Sequence, residues 1–343
     1  METQLNDTLL ELKNLSIDIG RVVDGKTQLL SSVEDISFEI FPGEILGIVG
    51  ESGSGKSLTA LSIPGLLGDN KEVTSGSILF GEPKKNLLEF TEKELQKIRG
   101  KEISMIFQES FSSLNPLMKV GEQIAETLEL HGETDKARNK SRIIELMEKL
   151  KLSGKPGLPE PKKILDAYPH HLSGGMCQRI MIALALICRP RLLIADEPTT
   201  ALDQITQEQI ISLLKEINRD FGTAILFISH DLSIIRNLCK RVLVMYSGRI
   251  LEEGNTEDVF NYPAHEYTKS LIGAIPNRAK RGKALTVISG RIPSLEEGRP
   301  PGCPFHPRCT KAEPRCREEF LPAWEIGKNH LTHCVWRMNE RQE

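Results

Sequence analysis

Residues 44–57 read Glu44-Ile45-Leu46-Gly47-Ile48-Val49-Gly50-Glu51-Ser52-Gly53-Ser54-Gly55-Lys56-Ser57. The stretch from Gly50 to Ser57 fits G-x-x-x-x-G-K-[ST]; an apolar run precedes it, and Leu58-Thr59-Ala60-Leu61-Ser62-Ile63 follows as the first turns of a helix. Strand, glycine-rich loop and helix in that order make a phosphate-binding loop. Gly50, Gly53 and Gly55 let the backbone curl until successive N–H groups face one anion, and the helix directs its positive end to the same point. Lys56 adds a mobile charge for the β- and γ-phosphates, and the Ser57 hydroxyl suits Mg2+.

Upstream of the loop, residues 9–20 and 33–41 alternate apolar and polar side chains, with a turn signal at Asp24-Gly25 between them. These predict a small antiparallel β layer leading into the loop strand. Downstream, 77–80 predicts a strand, 91–99 a solvated helix, and 103–107 a buried strand ending at Gln108. Residues 109–180 turn helical, with three- and four-residue apolar spacing over 120–130 and 143–152 and a Pro/Gly-rich loop at 153–161, so they read as a helical insertion inside an α/β domain. The run 192–197 has the character of a central parallel strand, and 224–230 repeats the design after an amphipathic helix over 204–221. Residues 242–246 and 249–254, joined by Ser247-Gly248, predict a hairpin.

Two stretches carry further chemistry. The strand at 192–197 ends in Asp196 and Glu197. A carboxylate at a strand end beside a phosphate loop suits Mg2+, and a second one residue on can orient or deprotonate the attacking water. Ser173-Gly174-Gly175 opens a helix with an apolar face, so its backbone donors offer a second anion site.

Together with Gln108, the run Leu172-Ser173-Gly174-Gly175-Met176-Cys177-Gln178-Arg179, Ala201-Leu202-Asp203 after the carboxylates, and His230, these residues resemble the ATP-binding subunit of ABC transporters over roughly 9–275. The resemblance implies an α/β fold: a P-loop NTPase (RecA-like) core with an antiparallel β layer, a helical subdomain insertion at about 109–180 and a small Cys-containing C-terminal extension. It places the ATP-binding domain at 1–275 and the extension at 276–343. By the same resemblance, Gly50, Glu51, Ser52, Gly53, Ser54, Gly55, Lys56 and Ser57 bind ATP with Asp196, and Ser57, Gln108 and Asp196 hold Mg2+. Glu197, His230 and Gln108 are catalytic, with His230 contacting the γ-phosphate. Ser173, Gly174 and Gly175 close over the γ-phosphate of a neighbouring subunit, so two subunits sandwich two ATP molecules. The pattern departs from the family at one point: residues 18–34 contain no aromatic side chain to stack on adenine. Modest base affinity or selectivity is expected.

Ser113-Leu114-Asn115-Pro116, the run 194–203, Pro263-Ala264-His265-Glu266-Tyr267-Thr268 and Pro301-Gly302-Cys303-Pro304-Phe305-His306-Pro307-Arg308-Cys309 are similar to ATPases of oligopeptide, dipeptide and nickel importers. That implies an ATPase on the cytoplasmic face of the membrane driving peptide uptake. Its partners would be a second ABC ATPase, usually a paralogue, two transmembrane permeases and an extracytoplasmic solute-binding protein. Import of nickel or another small solute, and a non-transport ABC ATPase, are the alternatives. The latter usually needs tandem modules or a long coiled coil, and neither is seen.

A net charge of -3 over 343 residues argues against a generally basic nucleic-acid surface. The longest apolar run, 180–188, is about half of a bilayer span, and the chain opens without a charged-then-apolar signal region, so no membrane crossing is expected. Of seven cysteines, Cys177, Cys188 and Cys239 read as small core hydrophobes. Cys303, Cys309, Cys316 and Cys334 lie together in the tail as C-x5-C-x6-C-x17-C. Zinc prefers closer pairs, whereas four thiolates on an irregular segment are the ligand set of a [4Fe-4S] cluster, which some members of the resembled branch carry. A Cys/His zinc site using His306, His330 or His333, and free thiols, are the other readings.

Overall fold

The computed structural model describes residues 8–23, 26–108, 113–153, 159–200, 202–275 and 288–336. The turn expected at Asp24-Gly25, Ala201 and parts of the stretches 153–161 and 276–343 lie outside these residues.

In chain order, β1 (Leu10–Val23), β2 (Lys26–Ile40) and β3 (Ile45–Val49) lead into α1 (Lys56–Ser62). Then come β4 (Lys71–Phe80), β5 (Lys85–Asn86), α2 (Glu92–Ile98) and β6 (Ile103–Ile106). Four helices follow: α3 (Val120–Leu130), α4 (Lys136–Lys149), α5 (Pro161–Leu165) and α6 (Gly174–Leu186). After β7 (Leu192–Asp196) the chain forms α7 (Gln204–Phe221), β8 (Ala224–Ser229), α8 (Leu232–Leu238), β9 (Arg241–Tyr246) and β10 (Arg249–Asn255). It continues through α9 (Thr256–Asn261) and α10 (Glu266–Ala274) to α11 (Arg315–Glu318), β11 (Trp324–Gly327) and β12 (His330–Thr332). The described residues gather into two compact units. Met1–Phe41, Ile45–Glu89 and Phe227–Glu343 contribute to the first, Pro42–Glu44 and Phe90–Leu226 to the second.

The first unit contains an antiparallel sheet in the order β2-β1-β4-β5. Alternation puts Leu10, Leu12, Leu15 and Ile17 into the core against Val33, Ile36, Phe38 and Ile40, all buried. The β1–β2 register shifts between Leu12 and Leu15. There Asn14 and Asp35 take positive φ (47° and 52°), and the Asn14 amide donates to Asp35 Oδ1 at 2.7 Å. Such a bulge lets a long strand keep its apolar side inward as the sheet twists. β2 starts at Lys26, ahead of the expected 33, because pairing with β1 holds a polar, exposed segment that has no core pattern of its own.

A second set of strands in this unit runs β11-β12-β10-β9-β3. All five residues of β3 are buried, and it pairs parallel with β9, Leu46 opposite Arg241 through Val49 opposite Val244. The β9–β10 turn places Ser247 and Gly248 at φ 46° and 79°, as a tight hairpin requires. A Cβ on Gly248 would stand 2.1 Å from Ser32 O. The tail adds β12 antiparallel to β10, Glu252 opposite Thr332. Glu252, wholly buried, accepts from the backbone N–H groups of Ala264 and His265 (2.8 Å each) and lies 2.7 Å from His330 Nε2. Glu252→Ala leaves three buried donors without partners and is expected to cost about 3 kcal/mol or more. A denaturant midpoint unchanged from the parent would contradict this.

The second unit holds α2–α7 with β6 and β7, which pair parallel from Ile103 opposite Leu192 to Ile106 opposite Ala195. In α2 the Glu94 carboxylate accepts from the Thr91 N–H at 2.8 Å, fixing the helix start. Helix α7 spans the expected residues: Asp203 caps its N-terminus, Gly222 at φ 67° closes it, and Ile210, Leu213, Leu214 and Ile217 form its buried face. The chain passes back to the first unit within β8.

Candidate functional site

In the first unit the phosphate loop is shaped by contacts that leave room only for glycine. A Cβ on Gly50 would lie 2.1 Å from Met245 O, and Gly53 and Gly55 adopt φ 81° and 98°. Lys56 is 5% exposed. Its Nζ donates to Gly50 O and Glu51 O at 2.8 Å and to Ser54 Oγ at 3.2 Å, so the ammonium sits inside the curl of Gly50, Glu51, Ser52, Gly53 and Ser54. The β9–β10 turn braces the loop, since Gly248 N–H donates to Ser54 O at 3.0 Å while Gly248 O accepts from Glu34 N–H at 2.9 Å. Ser57 is half-buried on the first turn of α1. His230, exposed, follows β8; the next residue, Asp231, caps α8 by accepting from Ser233 N–H at 2.7 Å.

In the second unit β7 ends at Asp196, 5% exposed, and Glu197 follows in a left-handed conformation, φ 47°. An L-residue with a Cβ holds that conformation at a cost of about 1 kcal/mol or more. Glu197 Oε2 accepts from Gln108 Nε2 at 3.2 Å and from Thr200 Oγ1 at 3.0 Å. Gln108 and Glu197, singled out separately in the sequence, therefore meet. Thr200 was given no role of its own from sequence, although it stands in the run 194–203 that carries the family likeness, three residues after Glu197.

Ser173 is the N-cap of α6, its Oγ accepting from Met176 N–H at 3.4 Å. Gly175 packs tightly, a Cβ there reaching 2.9 Å from Thr206 Cγ2, whereas Gly174 has open space where its Cβ would be. Thr206 is tied to Asp203, whose pKa is held low chiefly by the Thr206 hydroxyl bond. Arg179, further along α6, donates to Leu150 O at 2.8 Å and Gln209 Oε1 at 2.6 Å, anchoring the helix to α4 and α7.

The reading of Cys303, Cys309, Cys316 and Cys334 as ligands of an iron–sulfur cluster, or of zinc, is corrected by the structure. Among the described residues no group of three or more His, Cys, Asp or Glu side chains is placed to hold a metal ion. Cys316 instead forms a small core with Leu321 and Val335, against which Cys303 and Trp324 pack. Burial pushes the Cys303 thiol up to about 12 and Cys309 up to about 11, favouring the protonated form. The tail is held by this core, by β11–β12 on β10, and by Glu252.

Sequence reasoning also missed two residues that grip the phosphate loop, Tyr267 on α10 and Arg308 in the tail. The Glu51 N–H donates to Tyr267 Oη at 2.9 Å, and Arg308 Nη1 donates to both Glu51 carboxylate oxygens, at 3.1 and 3.0 Å. Both stand in stretches that carry the family likeness, but they lie more than 200 positions away from the loop, so no local pattern could have shown that they touch it.

Comparison with known proteins shows a match to the ABC transporter family at residues 33–200 and to the oligopeptide/dipeptide transporter C-terminal region at 251–316. The chain is 46% identical over 324 residues to the oligopeptide transport ATP-binding protein OppD of Escherichia coli, covering 93% of this chain and 92% of that protein. It is 42% identical over 334 residues to the dipeptide transport ATP-binding protein DppD of Haemophilus influenzae, covering 97% of each. Among solved structures, a dimeric ATP-binding cassette in a post-hydrolysis state, bound to ADP and Pi, aligns with a TM-score of 0.61 at 27% identity, over 72% of this chain and 98% of that one.

Proposed function

The chain belongs to the ATP-binding proteins of the oligopeptide/dipeptide ABC transporter family, and on that premise we propose that it hydrolyses ATP to drive import of di- and oligopeptides through separate membrane permease subunits. The observation that carries this reading is the extent of the likeness: identity of 46% runs over 93% of the chain, and the oligopeptide/dipeptide transporter C-terminal region matches 251–316.

The residue roles follow from the chemistry of each position. Backbone N–H groups of residues 50–57 and the Lys56 ammonium hold the phosphates; Lys56 moves from the carbonyls of Gly50 and Glu51 to phosphate oxygens when ATP enters. Ser57 and Asp196, with Gln108, offer the hard oxygen donors that Mg2+ prefers, and the burial of the Asp196 carboxylate suits it to a cation. When bound, that ion neutralises charge on the phosphates. Glu197, fixed by Gln108 and Thr200, takes the proton of the attacking water. His230 contacts the γ-phosphate, and Ser173, Gly174 and Gly175 meet the γ-phosphate bound by a neighbouring subunit. Support for this last role lies in the open space over Gly174. In this reading residues 1–275 are the ATP-binding domain, with about 109–180 as its helical subdomain, and 276–343 are the extension.

Among the described residues no helix is long and apolar enough to cross a membrane. By the family likeness, the chain is a peripheral subunit on the cytoplasmic face. Its partners are a paralogous ABC ATPase, two permeases and an extracytoplasmic binding protein. Co-purification with the permeases followed by mass spectrometry is expected to give two distinct ATPase chains in equal amounts; one ATPase sequence alone would overturn the paralogue. Reconstituted in proteoliposomes with the binding protein, the complex is expected to take up labelled di- and oligopeptides only with ATP. ATP-driven uptake of nickel with none of peptide would overturn the substrate assignment.

A further inference from the structure

Glu51 is unusual within its loop because every polar group it owns is engaged in the first unit. Its N–H donates to Tyr267 Oη at 2.9 Å, its carbonyl accepts from Lys56 Nζ at 2.8 Å and Ser54 N–H at 3.2 Å, and its carboxylate accepts twice from Arg308 Nη1. Arg308 is the more deeply buried partner, its side chain 6% exposed against 29% for Glu51. The guanidinium is oriented on every side. Nε donates to Ser289 O at 2.9 Å, Nη2 to Ile288 O at 3.3 Å and Nη1 also to Tyr246 Oη at 3.3 Å. Its plane lies near the rings of Tyr246 and Phe305, 5.7 and 5.9 Å from their centroids. Tyr246, Tyr267 and Phe305 in turn pack on one another with centroids 4.7 to 5.4 Å apart.

A carboxylate inside a phosphate-binding loop opposes the polyanion that the loop exists to bind. At the distance of neighbouring groups the repulsion is substantial where water is partly excluded. A fork-shaped, permanently charged and rigidly held guanidinium is suited to cancel it. The same contact steadies the Glu51 peptide while Lys56 leaves its carbonyl for the phosphates. Resting on the ATPase reading above, we propose that Arg308 is a positioning residue for ATP: the tail neutralises Glu51 and holds the phosphate loop in its anion-binding shape. The tail thereby tunes ATP affinity and leaves the bond-breaking step to other residues.

The test is the steady-state ATPase of the assembled transporter. Arg308→Gln is expected to raise KM for ATP about tenfold, with kcat at saturating ATP within about twofold of the parent, since uniform binding is lost. Arg308→Lys, which keeps the charge, is expected to stay within about threefold in KM. The decisive measurement is the double variant Glu51→Gln/Arg308→Gln. If the penalty arises from an unneutralised carboxylate, removing that charge restores KM to within about threefold of the parent. A residue needed only to fold the tail gives no such rescue. An unchanged KM in Arg308→Gln, a double variant no better than Arg308→Gln, or assembly lost in both would each overturn the proposal. Absence of ATPase activity in the parent complex would instead overturn the reading on which it rests.

Discussion

Glu197→Gln is expected to bind ATP as the parent does and to hydrolyse it about 10² to 10⁴ times more slowly, the range for losing a positioned base. That loss corresponds to roughly 3 to 5 kcal/mol of barrier. The substitution is close to isosteric, and an amide oxygen can still accept from Gln108 Nε2 and Thr200 Oγ1, so the local hydrogen bonds survive. The left-handed backbone at Glu197 is untouched for the same reason. What disappears is the ability to take a proton. The measurement is turnover of the assembled transporter beside direct nucleotide binding. Normal turnover in the variant would show that Glu197 is not the base. Thr200→Val, which removes a hydrogen bond that helps to aim the carboxylate, should lower kcat by a smaller factor, about tenfold or less.

Much of the fold was legible because its elements carry their own punctuation. Helix α7 is bounded by an Asp203 cap and a left-handed Gly222, and its apolar residues recur on one face between them. The β9–β10 hairpin announces itself through Ser247-Gly248, β3 through a short apolar run, and β7 through an apolar run that ends in a carboxylate. Less visible elements lack such signals. The first residues of β2 are exposed, so nothing but pairing with β1 makes them a strand. Helices α9 and α10 are six and nine residues long, too short for periodicity to declare them, and the sequence reading is silent there.

The candidate site divides in the same way. The loop and the pair of carboxylates at the end of β7 are each an unbroken run of sequence, and their residue types announce phosphate and metal chemistry. Thr200 and Arg308 act through contacts the chain makes only once folded. The tail cysteines misled for a related reason: spacing describes which ligands are available but not whether they make a site for a metal ion, and among the described residues none is found. Here Cys316 lies with Leu321 and Val335, where a small apolar side chain contributes to the core as a methyl-bearing one would.

Lys56→Ala is expected to lower kcat/KM by about 10³ or more, because the same ammonium serves both ground state and transition state. Unlike Glu197→Gln, it should weaken nucleotide binding itself. Nζ is buried against Gly50 O, Glu51 O and Ser54 Oγ, so removing it also releases three ties within the loop. Collapse of the loop is not the expected cause of the loss. Glu51 keeps its bonds to Tyr267 and Arg308, and the carbonyl of Ser54 keeps the Gly248 N–H. The two causes separate in the melting temperature measured without nucleotide. A charge effect leaves it near the parent's while ATP no longer raises it, because stabilisation by a ligand follows the ligand's affinity. Parent-like ATP affinity and turnover in Lys56→Ala would sink the assignment of residues 50–57 as the phosphate-binding loop.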